Sequence, residues 1–145
     1  MSQENVATST RGLEEGFNRG NLSVVDEDTT EDFVNHDPIM GDQDRESSKQ
    51  QIAGYRQAFP DIRITIDDIF AAGDKVVMRW TGQGTFENEF MGLQPTHEEG
   101  DPTRGITIDR YEDGKIAETW TQWETLTFMR NIGAIPEQAA ASSGS

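Results

Sequence analysis

Apolar residues recur along this chain with two different periods, and the change of period falls at Pro60. Before it the spacing is helical. Leu13 and Phe17 stand four apart and predict a helix over 8–19, with Gly20 and Asn21 as its stop. Residues 1–6 are polar and read as a frayed end. The acid-rich stretch 22–34 predicts a second helix. It closes at Asn35-His36-Asp37-Pro38, because the residue before a proline is pushed out of helical space. Residues 41–44 read as a loop. Ile52, Tyr55 and Phe59 share one stripe of a third helix over 45–59, which Pro60 stops.

From Ile62 the period becomes two. Ile62, Ile64 and Ile66 alternate with Arg63, Thr65 and Asp67. Gly73-Asp74 reads as a turn, 75–86 as a long strand with 89–91 continuing the pairing, and 92–102 as a polar loop. Asp113-Gly114 then predicts a two-residue hairpin turn, since both residues tolerate positive φ. A short helix over 124–131 follows, ended by Gly133. An unbroken hairpin pairs Glu112 with Lys115, Asp109 with Glu118 and Thr107 with Trp120. Asp109, Glu118 and Trp120 would then share one sheet face.

Helices first and strands afterwards predict an α+β fold, with helices packed on one face of a curved, mostly antiparallel sheet. Such a sheet, half-wrapped around helices, forms a cone with an open mouth, a shape suited to a mainly apolar ligand. The length of 145 residues suits one domain, taken as 1–136, with the small-residue tail 137–145 disordered.

Composition narrows the chemistry. There is no cysteine, which removes disulfides and thiolate nucleophiles. The two histidines, His36 and His97, are far apart, which excludes a histidine-rich metal site, and an all-carboxylate site has no loop signature, so no metal is expected. A net charge of −15 repels phosphate backbones and anionic membranes, and no apolar run approaches membrane-spanning length. The expectation is a cytoplasmic protein binding neither nucleic acid nor membrane. Lys49, Lys75 and Lys115 are the only lysines, and acid excess with few lysines resembles proteins of salt-loving archaea. An ordinary acidic mesophilic protein is the alternative.

The hairpin delivers the candidate site. Glu124 beside Trp120 and Trp123 is a candidate acid/base, because rings that exclude water raise a carboxyl pKa. Its alternative role is at a helix start, where acids favour the macrodipole. Asp109 and Glu118, opposed, would be a coupled carboxyl pair or a solvated acidic face. His36 would donate to a substrate carbonyl, or simply end a helix. Gly82-Gln83-Gly84 lacks the lysine and following helix of a phosphate loop and reads as a bend or bulge.

Three segments then resemble the SnoaL-like polyketide cyclase family, or ester cyclases, of the nuclear transport factor 2-like fold. They are Phe59-Pro60-Asp61 with 69–80; Gly84-Thr85-Phe86 through Phe90, Gly92 and Pro95-Thr96; and the hairpin through Glu118 and Trp120 to Leu126 and Ile132-Gly133. Val34-Asn35-His36-Asp37-Pro38 fits as well. The resemblance covers about 8–136. It implies a cone-shaped α+β barrel, usually a homodimer built on the sheets, and cofactor-free aldol closure of a polyketide ester by an aspartate. That aspartate falls where this chain has Glu124, while Phe86 stands where histidine is expected. The reading that results is an acid/base enzyme acting on a small apolar carbonyl compound, with Glu124 and His36 catalytic. Trp120, Trp123, Asp109, Tyr55 and Phe86 would contact substrate. The alternatives are isomerisation or epoxide hydrolysis in the same pocket, or a non-catalytic ligand-binding or dimerisation module.

Overall fold

The computed structural model describes residues 2–135; the tail expected over 137–145 lies outside them. Helix α1, Ser2–Arg11, runs directly into a π-helical segment, Gly12–Asn18. The helix therefore begins earlier than expected, inside the stretch read as frayed. The short α2, Ser23–Asp28, leads into strand β1, Thr29–Asp37, followed by β2, Gly41–Gln43, and α3, Arg45–Ala58. Strands β3, Arg63–Ala72, and β4, Lys75–Gln83, form one hairpin. Strands β5, Thr103–Glu112, and β6, Lys115–Trp123, form the next, and α4, Thr125–Asn131, closes the described chain.

The helix expected over 22–34 is corrected, because it stops at Asp28 and its second half is β1. That half carries Thr29, Thr30, Phe33 and Val34, residue types that suit a pleated surface. Its strand conformation depends on pairing. β1 lies between β2 and β6, in the sheet order β2-β1-β6-β5-β4-β3, and its contact with β6 is the one parallel ladder among the described residues. Residues 41–44, read as loop, supply β2. Residues 89–91 do not extend a strand; only the isolated pair Phe90 and Leu93 meets there.

Local chemistry explains the elements that were legible. Asp44 caps α3 by accepting from Ser47 N at 2.9 Å, while Asp44 N donates to Ser47 Oγ at 3.0 Å. The turn between β5 and β6 has φ of 50° at Asp113 and 81° at Gly114, the left-handed pair expected of a two-residue hairpin. Two apolar clusters lie on the concave side of the sheet. Tyr55, Ala58 and Phe59 of α3 meet Phe86, Phe128 and Ile132; Phe33, Val76, Met78, Tyr111 and Ile116 pack with Val6 and Leu13. Each fully buried side chain of this size contributes about 1.5–3 kcal/mol.

One irregularity decides which residues enter the cone. A bulge at Ala117 interrupts the last hairpin, so Arg110 faces Glu118, Asp109 faces Thr119, Ile108 faces Trp120 and Thr107 faces Thr121. The unbroken register is thereby corrected beyond Tyr111–Ile116. One extra residue exchanges the two faces of everything that follows in β6. Thr119, Thr121 and Trp123 turn inward, and Glu118 and Trp120 turn outward.

Candidate functional site

Between the concave face of the sheet, the π-helical segment, α3 and α4 lies a cavity of about 150 Å³. Leu13 and Phe17 line it from the π-helical segment, and Gln51, Tyr55 and Phe59 from α3. Trp80, Thr107, Thr121 and Trp123 line it from the sheet, and Phe128 from α4. At one edge Asp101 and Asn131 clasp each other: Asp101 N donates to Asn131 Oδ1 at 3.1 Å, and Asn131 Nδ2 donates to the Asp101 carbonyl at 2.8 Å.

Asp37 is the buried carboxylate of this lining, at 8% exposure. It ends β1, where strand alternation points Asn35 and Asp37 into the cavity and His36 away from it. Its Oδ2 accepts from Ile39 N and Met40 N, both at 2.9 Å. Oδ1 is less tightly held, with Trp123 Nε1 at 3.4 Å. Tyr55 is nearby; burial, opposed in part by a hydrogen bond with Gln51, pushes its hydroxyl up to about 12. At neutral pH it is therefore a proton-bearing donor. The arrangement places one carboxylate oxygen and one phenol at an apolar cavity, the groups needed to take a proton and to hydrogen-bond an oxyanion.

The residues singled out from sequence are dispersed. Glu124 lies outside the cavity lining. Its Oε1 accepts from Arg104 N and Nε, both at 2.9 Å, and its Oε2 accepts from Arg104 Nη2 at 3.0 Å. The Arg104 guanidinium, helped by its backbone N–H, holds the carboxyl below the usual range, which corrects the expected upward shift. Glu124 does occupy the position before α4, yet its side chain makes no capping bond.

His36 and Trp120 are stacked on the outer sheet face, with ring centroids 5.7 Å apart. His36 Nε2 contacts Glu118 at 2.6 Å and Nδ1 contacts Asp42 at 2.7 Å. Both carboxylates accept, which raises the imidazole pKa, Glu118 more than Asp42. Phe86 is a core residue, 1% exposed and stacked on Phe59 at 5.4 Å. Of the candidates, Tyr55 and Trp123 are brought together at the cavity, their rings edge-to-face at 6.4 Å.

Asp109 is buried beneath α1, away from Glu118. Thr119 Oγ1 donates to its Oδ1 at 2.7 Å. Its Oδ2 lies 2.7 Å from Ser9 Oγ, Ser9 Oγ lies 2.7 Å from Tyr111 Oη, and Tyr111 Oη donates to the Asn5 carbonyl at 2.8 Å. These last three contacts need three protons, but the two hydroxyls supply only two. A protonated Asp109 carboxyl would supply the third. Burial pushes its pKa up in the same direction.

Asp37 is the cavity carboxylate that sequence reasoning passed over. The signal for Asp37 was its one-residue offset from His36 in a strand, hidden because the segment was read as a helix end. Among the described residues, no cluster of three His, Cys, Asp or Glu side chains could hold a metal, and no helix is long and apolar enough to cross a membrane.

Comparison with known proteins agrees with this architecture. The profile described as SnoaL-like polyketide cyclase matches residues 7–132. AclR from Streptomyces galilaeus, provisionally assigned as a hydroxylase, is 26% identical with a TM-score of 0.82, covering 94% of this chain and 100% of its own. IdmH from Streptomyces antibioticus, provisionally assigned as a polyketide cyclase, is 31% identical with a TM-score of 0.74, covering 89% and 98%. A protein from Jannaschia sp. CCS1 shares the fold at 23% identity and a TM-score of 0.82, covering 93% of this chain and 95% of its own. No curated protein matches. With the profile spanning most of its length, the chain belongs to the SnoaL-like polyketide cyclase family.

Proposed function

We propose that this protein catalyses proton transfer on a small, mainly apolar carbonyl compound held in the cavity, with aldol-type ring closure as the reaction class. The observation that carries the reading is Asp37. It is a buried carboxylate with one oxygen fixed by two backbone N–H groups and the other turned toward Trp123 at the cavity. In this reading Asp37 Oδ1 removes an α-proton, and the Tyr55 hydroxyl donates to the enolate oxygen that forms. The proton on Asp37 then returns to the product alkoxide. The roles expected of Glu124 and His36 pass to Asp37 and Tyr55.

The cavity's about 150 Å³ limits what enters, because ligand sites usually enclose roughly 300–1,000 Å³. One ring, or one end of a larger compound, matches that space. The same small volume favours a second reading, a ligand-binding module without turnover.

Cyclohexanone in D₂O separates the two. Proton transfer predicts α-proton exchange, followed by NMR, that falls by about 10²–10⁴ in Asp37→Asn while cyclohexanone still binds. Binding without exchange in the unsubstituted protein would leave the module reading, and exchange unaffected by Asp37→Asn would remove Asp37 from the chemistry.

The proposal includes a homodimer across the outer sheet face. The register aligns Phe70, Val77, Ile108 and Trp120 in one row there, and Phe70 is 52% exposed. It also includes adaptation to high salt, supported by the net charge of −15.

A further inference from the structure

Trp80 occupies an unusual place in the cavity wall. It sits on the inner face of β4 opposite Gly105 of β5, which in turn faces Trp123 of β6. A Cβ at Gly105 would lie 2.3 Å from Cζ2, 2.6 Å from Cε2 and 2.8 Å from Cη2 of the Trp80 indole. Gly82, two residues further along β4 and on the same side, would put a Cβ 3.6 Å from Cζ3 of the same ring. The six-membered half of the indole thus lies on bare backbone. The ring is also tied at its edge, where Nε1 donates to Thr107 Oγ1 at 2.9 Å.

The other aromatic groups packed around Phe128 are mutually engaged. Tyr55, Phe59 and Trp123 each meet it with centroids 5.1–5.8 Å apart. Among the described residues Trp80 has no such ring partner. One of its faces is on glycine, and the ring lines the cavity. Lifting it from 2.3 Å to ordinary contact moves it about 1 Å in the direction a Gly105 Cβ points, which is into the cavity.

We propose that Gly105, with Gly82 beside it, is a specificity-determining residue: by leaving the sheet bare it lets Trp80 lie flat, and so sets the thickness of the ligand that the cavity admits. This rests on the reading of the cavity as a ligand site. Gly105 lies outside the cavity lining and acts through Trp80, whose open face meets the ligand; Gly82, itself in the lining, stands beside the ring, and the ligand is flat where it rests on that ring.

Toluene and methylcyclohexane test this, because they share an outline and differ in thickness. Binding is measured by calorimetry, and the Trp80 indole N–H is followed by ¹⁵N–¹H NMR, identified by its loss in Trp80→Phe. The unsubstituted protein should bind toluene in preference to methylcyclohexane. Gly105→Ala should weaken toluene by about tenfold or more and move the indole resonance as the Thr107 bond breaks. Gly105→Ala combined with Trp80→Phe should recover binding. Thr107→Val, which adds no bulk and frees the ring, should reduce the preference between the two probes. Equal binding of both probes by the unsubstituted protein and Gly105→Ala, or an indole resonance that stays in place, would overturn the proposal. Were neither probe to bind the unsubstituted protein while the resonance still moved in Gly105→Ala, the ligand reading would fall and the specificity role with it. The position of the ring would still be shown to depend on Gly105.

Discussion

Asp109 offers a prediction in which the sign, the size and the residue are all set by geometry. Its Oδ2 is paired with Ser9 Oγ and its Oδ1 accepts from Thr119, so it ties α1 to β5 and β6, and the proton count predicts a neutral carboxyl with its proton on Oδ2. Asn is the matching replacement. Its amide N–H can donate where Oδ2–H does, and its carbonyl can accept from Thr119. Asp109→Asn should therefore change unfolding free energy by less than about 1 kcal/mol. Asp109→Ala leaves the buried Ser9 and Thr119 hydroxyls short of a partner and opens a small void. It should cost about 2–6 kcal/mol, at about 1–3 kcal/mol per unpaired group.

The pH dependence separates this account from an ionised Asp109. With the folded-state pKa raised, the stabilisation is fully present below the unfolded value of about 3.9 and is lost as pH rises through the folded value. The titratable neighbours are Tyr111, itself pushed upward by burial, and Asp28, which faces Tyr111. No cation is among the groups that shift Asp109. Urea unfolding followed by tryptophan fluorescence, at fixed salt between about pH 5 and 8, gives the comparison. The stability of the unsubstituted protein minus that of Asp109→Asn should fall with pH, because the many other carboxylates cancel in the difference. A difference that rises with pH, or an Asp109→Asn loss as large as that of Asp109→Ala, would refute the neutral carboxyl.

Three further outcomes are expected. Glu124→Gln should leave cyclohexanone exchange unchanged, since its carboxylate is bound to Arg104 outside the cavity; a large loss of exchange would return Glu124 to the chemistry. The melting temperature should rise between about 0.1 M and 3 M KCl as the charge of −15 is screened, and a flat or falling value would leave an ordinary acidic protein. Light scattering in high salt should give a dimer mass that Phe70→Glu lowers, since that ring is half exposed in the apolar outer row.

The sequence alone determined those features whose cause is local. The stripe of Ile52, Tyr55 and Phe59 made α3, and Asp113-Gly114 made the last hairpin turn, because each depends on residues within a few positions of one another. The α+β order and the family likeness were legible for the same reason. Tertiary structure decided the rest. β1 is a strand because β2 and β6 flank it, and that pairing turns Asp37 inward and His36 outward. The bulge at Ala117 rotates Trp120 out of the cone and Trp123 into it. Period two carries no information on which face is buried once a single residue is inserted. Glu124 found Arg104 twenty residues away, a partner that no local spacing announces. The carboxylate that reached the cavity did so through long-range pairing, whereas local pattern could only identify which residues were available.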